Sequence, residues 1–199
     1  MQKPRQKRQD RTRQAILEAA RQIITEEGPQ GFSMRSLADR IDYSPAGLYE
    51  YFNSKEDIIR VLGTQGHEML RDHLLLVDQG LPPAEYLQSL GLAYIEFALN
   101  NPDYYLLMFT HSPTQVQAER MVSESSSYPV LLHAIQKGIE AGVFKPRQGF
   151  GLQEMAYAAW AMVHGISMLR ITYLKDFPIP FESVDRETLS VFSRGLQTG

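Results

Sequence analysis

Apolar residues in this chain recur at three- and four-residue intervals and nowhere alternate, so the fold it specifies is all-α. Glycine and proline mark the breaks: Gly28-Pro29, Gly31, Pro45, Pro82-Pro83, Pro102, Pro129, Gly142, Pro146, Pro178 and Pro180. The intervals between them predict helices over 12–27, 33–41, 44–52, 55–77, 84–99, 102–109, 129–140, 152–173 and 185–194. A weaker helical stretch is expected at 117–125, after a loop at 111–115. No internal repeat interrupts this series.

Hydrophobic residues make up 43% of 199, enough for a packed core. Without cysteine there is no disulfide, thiolate metal site or cysteine nucleophile. The basic start is not followed by an apolar stretch, and no run of eighteen apolar residues occurs. Neither a secretory signal nor a membrane span is expected, and the cytoplasm is the expected location. The net charge of −3 is unevenly spread: residues 1–60 carry 11 Lys/Arg against 9 Asp/Glu, the remainder 9 against 14. Six of the basic residues (Lys3, Arg5, Lys7, Arg8, Arg11, Arg13) fall within the first fourteen positions. Two readings of that arm stand: a footprint for phosphate, or a solubilising tail.

Local signals are densest between positions 28 and 57. Ser33 is a candidate N-cap for a helix burying Met34, Leu37, Ala38 and Ile41. Asp42 marks a tight turn. Ser44 caps the next helix, with Pro45 at its first position. Ser54 with Asp57 resembles a capping box for the helix after that. Two short helices joined by a tight turn, with a longer one before them, make a helix-turn-helix. In the second short helix Leu48 and Phe52 form the inward pair. Pro45, Ala46, Gly47, Tyr49 and Glu50 then face outward, where small residues let a partner approach closely.

The run from Gly31 to Glu56 resembles the signature of the tetracycline-repressor (TetR) family: Ser33, Leu37-Ala38, Ser44, Leu48-Tyr49, Tyr51-Phe52 and Lys55-Glu56 fall at its spaced positions. The resemblance implies a DNA-binding domain over 1–60 and a helical effector-binding and dimerisation domain over 61–199. It implies DNA contacts by Ser33, Arg35, Ser44, Pro45, Ala46, Gly47, Tyr49, Tyr51 and Lys55. Of these, Ser33 and Tyr49 would meet phosphates or base edges, and Tyr51 and Lys55 phosphates. Arg35 would reach a base, and Pro45, Ala46 and Gly47 would touch thymine methyls. The arm would enter a minor groove or follow phosphates. The family's turn glycine is replaced by Asp42, which tolerates a left-handed backbone. Glu50 either accepts from cytosine or points aside. Packing is the competing role for Tyr49 and Tyr51, and a solvated ion pair for Arg35.

In the remainder, the helix at 152–173 carries a broad apolar stripe: Leu152, Met155, Ala156, Ala159, Trp160, Val163, His164, Ser167, Met168 and Ile171. Ala158, Ala159, Ala161 and Gly165 allow close helix approach. With Leu189, Phe192 and Leu196 they suggest a four-helix homodimer interface. Trp160-Ala-Met-Val-His164-Gly165 resembles the Trp-x-x-x-His-Gly motif of one C-terminal class of the family, which implies a buried ligand pocket. Candidate liners are Tyr94, Phe97, Tyr105, Met108, Phe109, Tyr128, Leu132, Trp160, His164 and Met168, an aromatic and methionine-rich set suited to flat apolar ligands. Core packing is the alternative for each, and for His164 a structural or a ligand role stays open.

Catalytic residues, metal ligands and cofactors are not expected. The histidines at 67, 73, 111, 133 and 164 show no pairing at useful spacing, and the serines at 123–127 lack a nucleophile motif. Three function classes remain for comparison. The first is a repressor that binds an operator duplex as a homodimer and is released by a small molecule. The second is a ligand-independent DNA-binding activator or architectural protein. The third is a helical enzyme, which would need a convergent polar cluster that the sequence does not offer.

Overall fold

The computed structural model describes residues 4–109 and 126–198. The loop and weak helix expected at 111–115 and 117–125 lie outside the described residues, as does most of the serine run. Within the described residues the chain forms α1 (Pro4–Gly31), α2 (Met34–Arg40), α3 (Pro45–Leu48), α4 (Lys55–Leu74), α5 (Pro83–Asn100), α6 (Pro102–Phe109), α7 (Tyr128–Glu140), α8 (Leu152–Thr172) and α9 (Phe181–Gln197). The only β-type pairing among them is one isolated bridge, Arg147 with Phe150.

Two boundaries differ from expectation for physical reasons. α1 begins at Pro4, so the basic segment is helical. Its Arg, Gln and Lys residues are good helix formers, and proline suits a first helical position. They carry no apolar stripe, and periodicity alone passes over them. α3 is only four residues long, because Tyr49–Tyr51 continue as hydrogen-bonded turns rather than as helix. At Gly28 the backbone adopts φ 73°, ψ 170°, breaking α1 where the Gly-Pro pair predicts a stop.

The described residues form two compact units, 4–66 with 103–109, and 67–102 with 126–198. The first therefore ends at Gly66 rather than near residue 60, and it includes α6. Its core takes Ile16, Leu17, Ala20 and Ile23 from α1, Leu37 and Ala38 from α2, Leu48 and Phe52, Ile58, Ile59 and Leu62 from α4, and Leu107 from α6. Met34 and Ile41, expected inside, pack at its margin. Arg21 ties α1 to α6 through an ion pair with Asp103, and its guanidinium lies 5.6 Å over the Tyr104 ring.

In the second unit α5 packs against α7, α8 and α9. A Cβ at Gly91 would fall 2.6 Å from Leu189 Cδ2, so α5 and α9 approach closely only because Gly91 has no side chain. One core cluster joins Leu87, Ile135, Phe144, Met155, Ala156 and Leu196. Of the stripe expected to be buried on α8, only Met155, Ala156, Ala159, Val163 and Ser167 are buried; Leu152, Trp160, His164, Met168 and Ile171 are half-buried. Arg170 Nη1 donates to Asp185 Oδ2 at 2.5 Å, tying α8 to α9, and Arg170 also lies 4.8 Å over the Phe181 ring.

Asp42 is the only non-glycine with positive φ among the described residues, at 53°. A β-branched residue there would strain the turn that sets α2 against α3. Asp42→Val is expected to destabilise the first unit by about 1–2 kcal/mol, and Asp42→Gly to leave it nearly unchanged. Urea titration of both variants followed by circular dichroism checks this. Equal stabilities would show that the turn is not under conformational constraint.

Candidate nucleic-acid interface and ligand site

Each short helix of the first unit is fixed at its start by a serine. Ser33 Oγ accepts from Ser36 N at 3.0 Å, and Ser36 Oγ accepts from Ser33 N at 2.9 Å, a reciprocal cap on α2. Ser44 Oγ accepts from Gly47 N at 3.0 Å, with Pro45 at the first position of α3. Ser54 Oγ accepts from Asp57 N at 3.1 Å, while Asp57 Oδ2 accepts from Asn53 N at 3.3 Å. This is the expected box with the return bond one residue early. Lys55 Nζ donates to Phe32 O at 3.0 Å, holding the ammonium at the start of α4.

Leu48 is fully buried and Phe52 nearly so. The segment between them shows its other side to solvent. Pro45, Ala46 and Glu50 are exposed, and Tyr49 is 55% exposed. Tyr51 divides its surface, packing at the margin of the core. Arg35 is exposed on α2, and no carboxylate of the described residues pairs with it. The residues at 33–35, 44–47, 49–51 and 55 thus belong to one helix-turn-helix, with α1 alongside: Arg13 lies 4.6 Å over the Phe52 ring. Arg13 and Tyr43 were missed as individual contributors. Arg13 reads only as part of a charge run, and the placement of Tyr43 depends on contacts outside any motif.

The second unit gathers an aromatic cluster. Trp160 Nε1 donates to Tyr94 Oη at 3.3 Å. Ring centroids of Tyr128 and Trp160 are 6.0 Å apart, and those of Trp160 and His164 are 6.1 Å apart. Leu132 and Tyr128 pack at the edge of the core formed with Met155 and Phe144. Phe97 is buried and meets His73, with ring centroids at 6.1 Å. Met168 is half-buried one turn beyond His164. Tyr105, Met108 and Phe109, which the sequence groups with these, belong to the first unit. There the Tyr105 and Phe109 ring centroids are 5.1 Å apart with planes tilted at 58°, and Met108 fills the space left by Gly66, whose Cβ would fall 2.7 Å from Met108 Cγ.

Residues 16–62 match the model of bacterial regulatory proteins of the tetR family, and residues 87–188 that of the tetracyclin repressor-like C-terminal domain. The chain belongs to the TetR family. An uncharacterized HTH-type transcriptional regulator of Bacillus subtilis, YobS, is 29% identical over 114 residues, 56% of this chain and 60% of that protein. Escherichia coli UidR, another HTH-type transcriptional regulator, is 40% identical over 57 residues, 29% of each chain. The chain thus spans less than two thirds of the length of these relatives. A Rhodococcus protein of unknown function superposes with a TM-score of 0.78 at 23% identity, over 94% of this chain and 95% of its own. The TetR family regulator PfmR of Thermus thermophilus does so at 0.65 and 23%, over 91% and 98%. This TetR-family chain carries the family's helix-turn-helix domain, and no described helix is long and apolar enough to cross a membrane.

Burial holds the pKa of His164, and of His67, below the ordinary imidazole value of 6.5. In the unfolded chain each takes up a proton near pH 6.5, whereas in the folded protein each stays neutral to lower pH. Their contribution to stability is therefore complete above pH 6.5 and is lost as pH falls below it. The melting temperature is expected to drop between about pH 7.5 and about pH 5.5, and His164→Gln is expected to reduce that drop. A variant whose drop equals that of the parent would show that His164 is not desolvated enough to matter.

Proposed function

We propose that this protein is a cytoplasmic homodimeric repressor that binds a palindromic operator and leaves it when a small apolar or aromatic molecule occupies its C-terminal unit. The observation that carries the DNA half is the outward side of residues 45–50: proline, alanine and tyrosine stand exposed while Leu48 and Phe52 take up the core. Within that reading Tyr49 and Arg35 reach base edges or phosphates, Pro45, Ala46 and Gly47 lie against thymine methyls, and Tyr51 meets a phosphate. Ser33 and Ser44 cap helices first, and both are exposed. Lys55 acts at the start of α4, where backbone amides also favour a phosphate.

The ligand half is supported by the cluster of Tyr94, Tyr128, Trp160 and His164, aromatic faces with few polar atoms. The spacing of Trp160, His164 and Gly165 supports reading this unit as one of the Trp-x-x-x-His-Gly class. The dimer is supported by an unspent apolar stripe on α8: Tyr157 (65% exposed), Ala161, Gly165, Leu169 (49%) and Tyr173 just past its end (86%). A Cβ at Gly165 would meet nothing within 4 Å, so this stretch of helix is open to a second copy. Val184 and Val191 extend exposed apolar surface onto α9. Two subunits joined there would present two recognition segments to half-sites about one helical turn, or a multiple of it, apart. Ligand release follows if the molecule binds better to a conformer with another half-site spacing. One continuous helix, α4, runs from the first unit into the second and is the element such a change would bias. No enzymatic step or cofactor enters this reading.

Selection from a randomised duplex pool at two salt concentrations tests it. The expected outcome is a palindromic consensus whose affinity falls with salt at a log–log slope near −0.9 per phosphate contacted. An unpaired half-site, or no enrichment, would overturn the dimeric-operator reading. A consensus that no ligand in a broad apolar library releases would favour the activator or architectural alternative.

Leu169→Glu places a charge in the centre of the proposed dimer face. It is expected to convert dimer to monomer in sedimentation velocity without lowering the helix content. It should also roughly halve the salt slope on the selected duplex, since half the phosphates are then contacted. A variant that sediments as the parent does would put the dimer interface elsewhere.

A further inference from the structure

Glu50 is the one charged residue of the recognition segment, residues 44–52. It stands two positions from each of the buried anchors Leu48 and Phe52, and it is exposed. The backbone that carries it is fixed. Leu48 N donates to Ser44 O at 3.2 Å, Glu50 N to Gly47 O at 3.3 Å, Tyr51 N to Leu48 O at 3.0 Å and Phe52 N to Leu48 O at 3.1 Å. The Tyr43 ring braces the segment from the preceding turn, since a Cβ at Gly47 would fall 3.1 Å from Tyr43 Cδ1 and Cε1. Bonds of this helical sense make neighbours of residues three and four apart, so Glu50 has Gly47 and Ala46 beside it. Neither has a side chain long enough to cover it.

Five carboxylates of the first unit are held by arginines: Glu18 and Asp103 by Arg21, Glu26 and Glu27 by Arg40, and Asp57 by Arg60. Glu50 takes part in no such pair among the described residues. Two cations of adjoining elements are turned to other tasks, Lys55 Nζ donating to Phe32 O at 3.0 Å and Arg13 lying 4.6 Å over the Phe52 ring. An uncompensated carboxylate on the side that meets a duplex is repelled by every phosphate, and it is accommodated only where a base offers it a hydrogen. In the major groove guanine presents two acceptors, and thymine an acceptor and a methyl group. Adenine presents an amino group, but with the N7 acceptor next to it on the same base. Cytosine presents an amino group and no acceptor of its own there.

We propose that Glu50 is a specificity-determining residue that accepts a hydrogen bond from the N4 amino group of one cytosine in each half-site. Ala46 and Gly47 let the segment come close to the groove floor, and the longer Glu50 side chain beside them spans what distance remains. Its charge also works by exclusion, because any register that sets it against a phosphate or against a guanine acceptor is disfavoured. The inference rests on the operator-binding reading above. It assigns a base to a residue that the reading leaves without a role.

The test passes the full chain and its Glu50→Ala and Glu50→Gln variants through the same randomised duplex pool. Affinities are then measured on the parent's consensus and on duplexes with single base pairs exchanged. The parent is expected to prefer cytosine at one position of each half-site by about 5- to 10-fold over the other bases. Glu50→Ala is expected to melt with the parent and keep the rest of the consensus. At that one position its preference should fall to about 2-fold or less, with the salt slope unchanged because no phosphate contact is lost. Glu50→Gln is expected to move the position toward adenine, whose N6 and N7 an amide reads together. Glu50→Ala that keeps the parent's consensus and binds every duplex more tightly by one common factor overturns the inference, because the carboxylate then only repels the backbone. A variant that equals the parent on every duplex overturns it as well, since Glu50 then faces solvent. Loss of preference at a pair other than C·G overturns the base assigned. A parent protein that selects no duplex removes the operator reading itself, which none of the Glu50 outcomes does.

Discussion

A four-residue helix has no stability of its own, and α3 exists because Leu48 is buried beneath it. Nucleating one turn costs more than its hydrogen bonds return. Here the deficit is met by a side-chain cap from Ser44, a proline already in helical φ, the left-handed turn at Asp42, and the burial of Leu48 and Phe52. Every one of these acts at the ends or the inner side of the segment. That leaves the outer side with no structural duty, which is why it can carry flat and small residues that suit a base edge. A longer helix would secure itself, but it would also need more apolar residues and leave fewer positions for recognition.

The second unit solves the opposite problem. α8 carries more apolar surface than its own unit covers, while its buried side holds small residues and Ser167, whose Oγ donates back to Val163 O at 2.8 Å. Larger residues at Ala156 and Ala159 would bury more area but would push α8 away from its neighbours. The ion pair of Arg170 with the buried Asp185 adds little net stability, because desolvation offsets its attraction. It does fix which faces of α8 and α9 point inward, since neither residue can turn away without leaving a charge unpaired. The exposed sides of both helices, with Tyr157, Leu169, Val184 and Val191, are thereby set in one arrangement.

What was legible in the sequence was what is decided locally. Caps, prolines and the Leu48–Phe52 spacing act within a turn or two, and the helix-turn-helix followed from them almost residue by residue. The helical start of α1 was not legible, because a helix without an apolar stripe has no period to read. The membership of α6 in the first unit was hidden for a different reason. It depends on Arg21 meeting Asp103 and on Gly66 making room for Met108, pairs far apart in sequence. The same limit explains why Tyr105, Met108 and Phe109 were grouped with Trp160: aromatic composition marks apolar surroundings but not which unit supplies them. On α8 the stripe was read as wholly buried, but half of it is only half-buried, because periodicity cannot separate surface that meets the core from surface left at its margin.

Net charge conceals how the first unit is prepared for an anion. Its arginines fall into two groups. Arg21, Arg40 and Arg60 are engaged with Glu18 and Asp103, with Glu26 and Glu27, and with Asp57. These pairs join α1 to α6, α1 to α2, and successive turns of α4, and their charge is cancelled where it stands. Arg5, Arg8, Arg11, Arg13 and Arg35 form no ion pair with the described carboxylates. Four of these five lie on the first turns of α1, and Arg13 reaches over Phe52 at the end of the recognition segment. At physiological salt a charge acts over roughly 8 Å, so the arginines on one short helical segment matter more to a phosphate than the sum over the chain. A protein of net charge −3 can therefore present a cationic edge, provided its carboxylates are spent on holding the fold together.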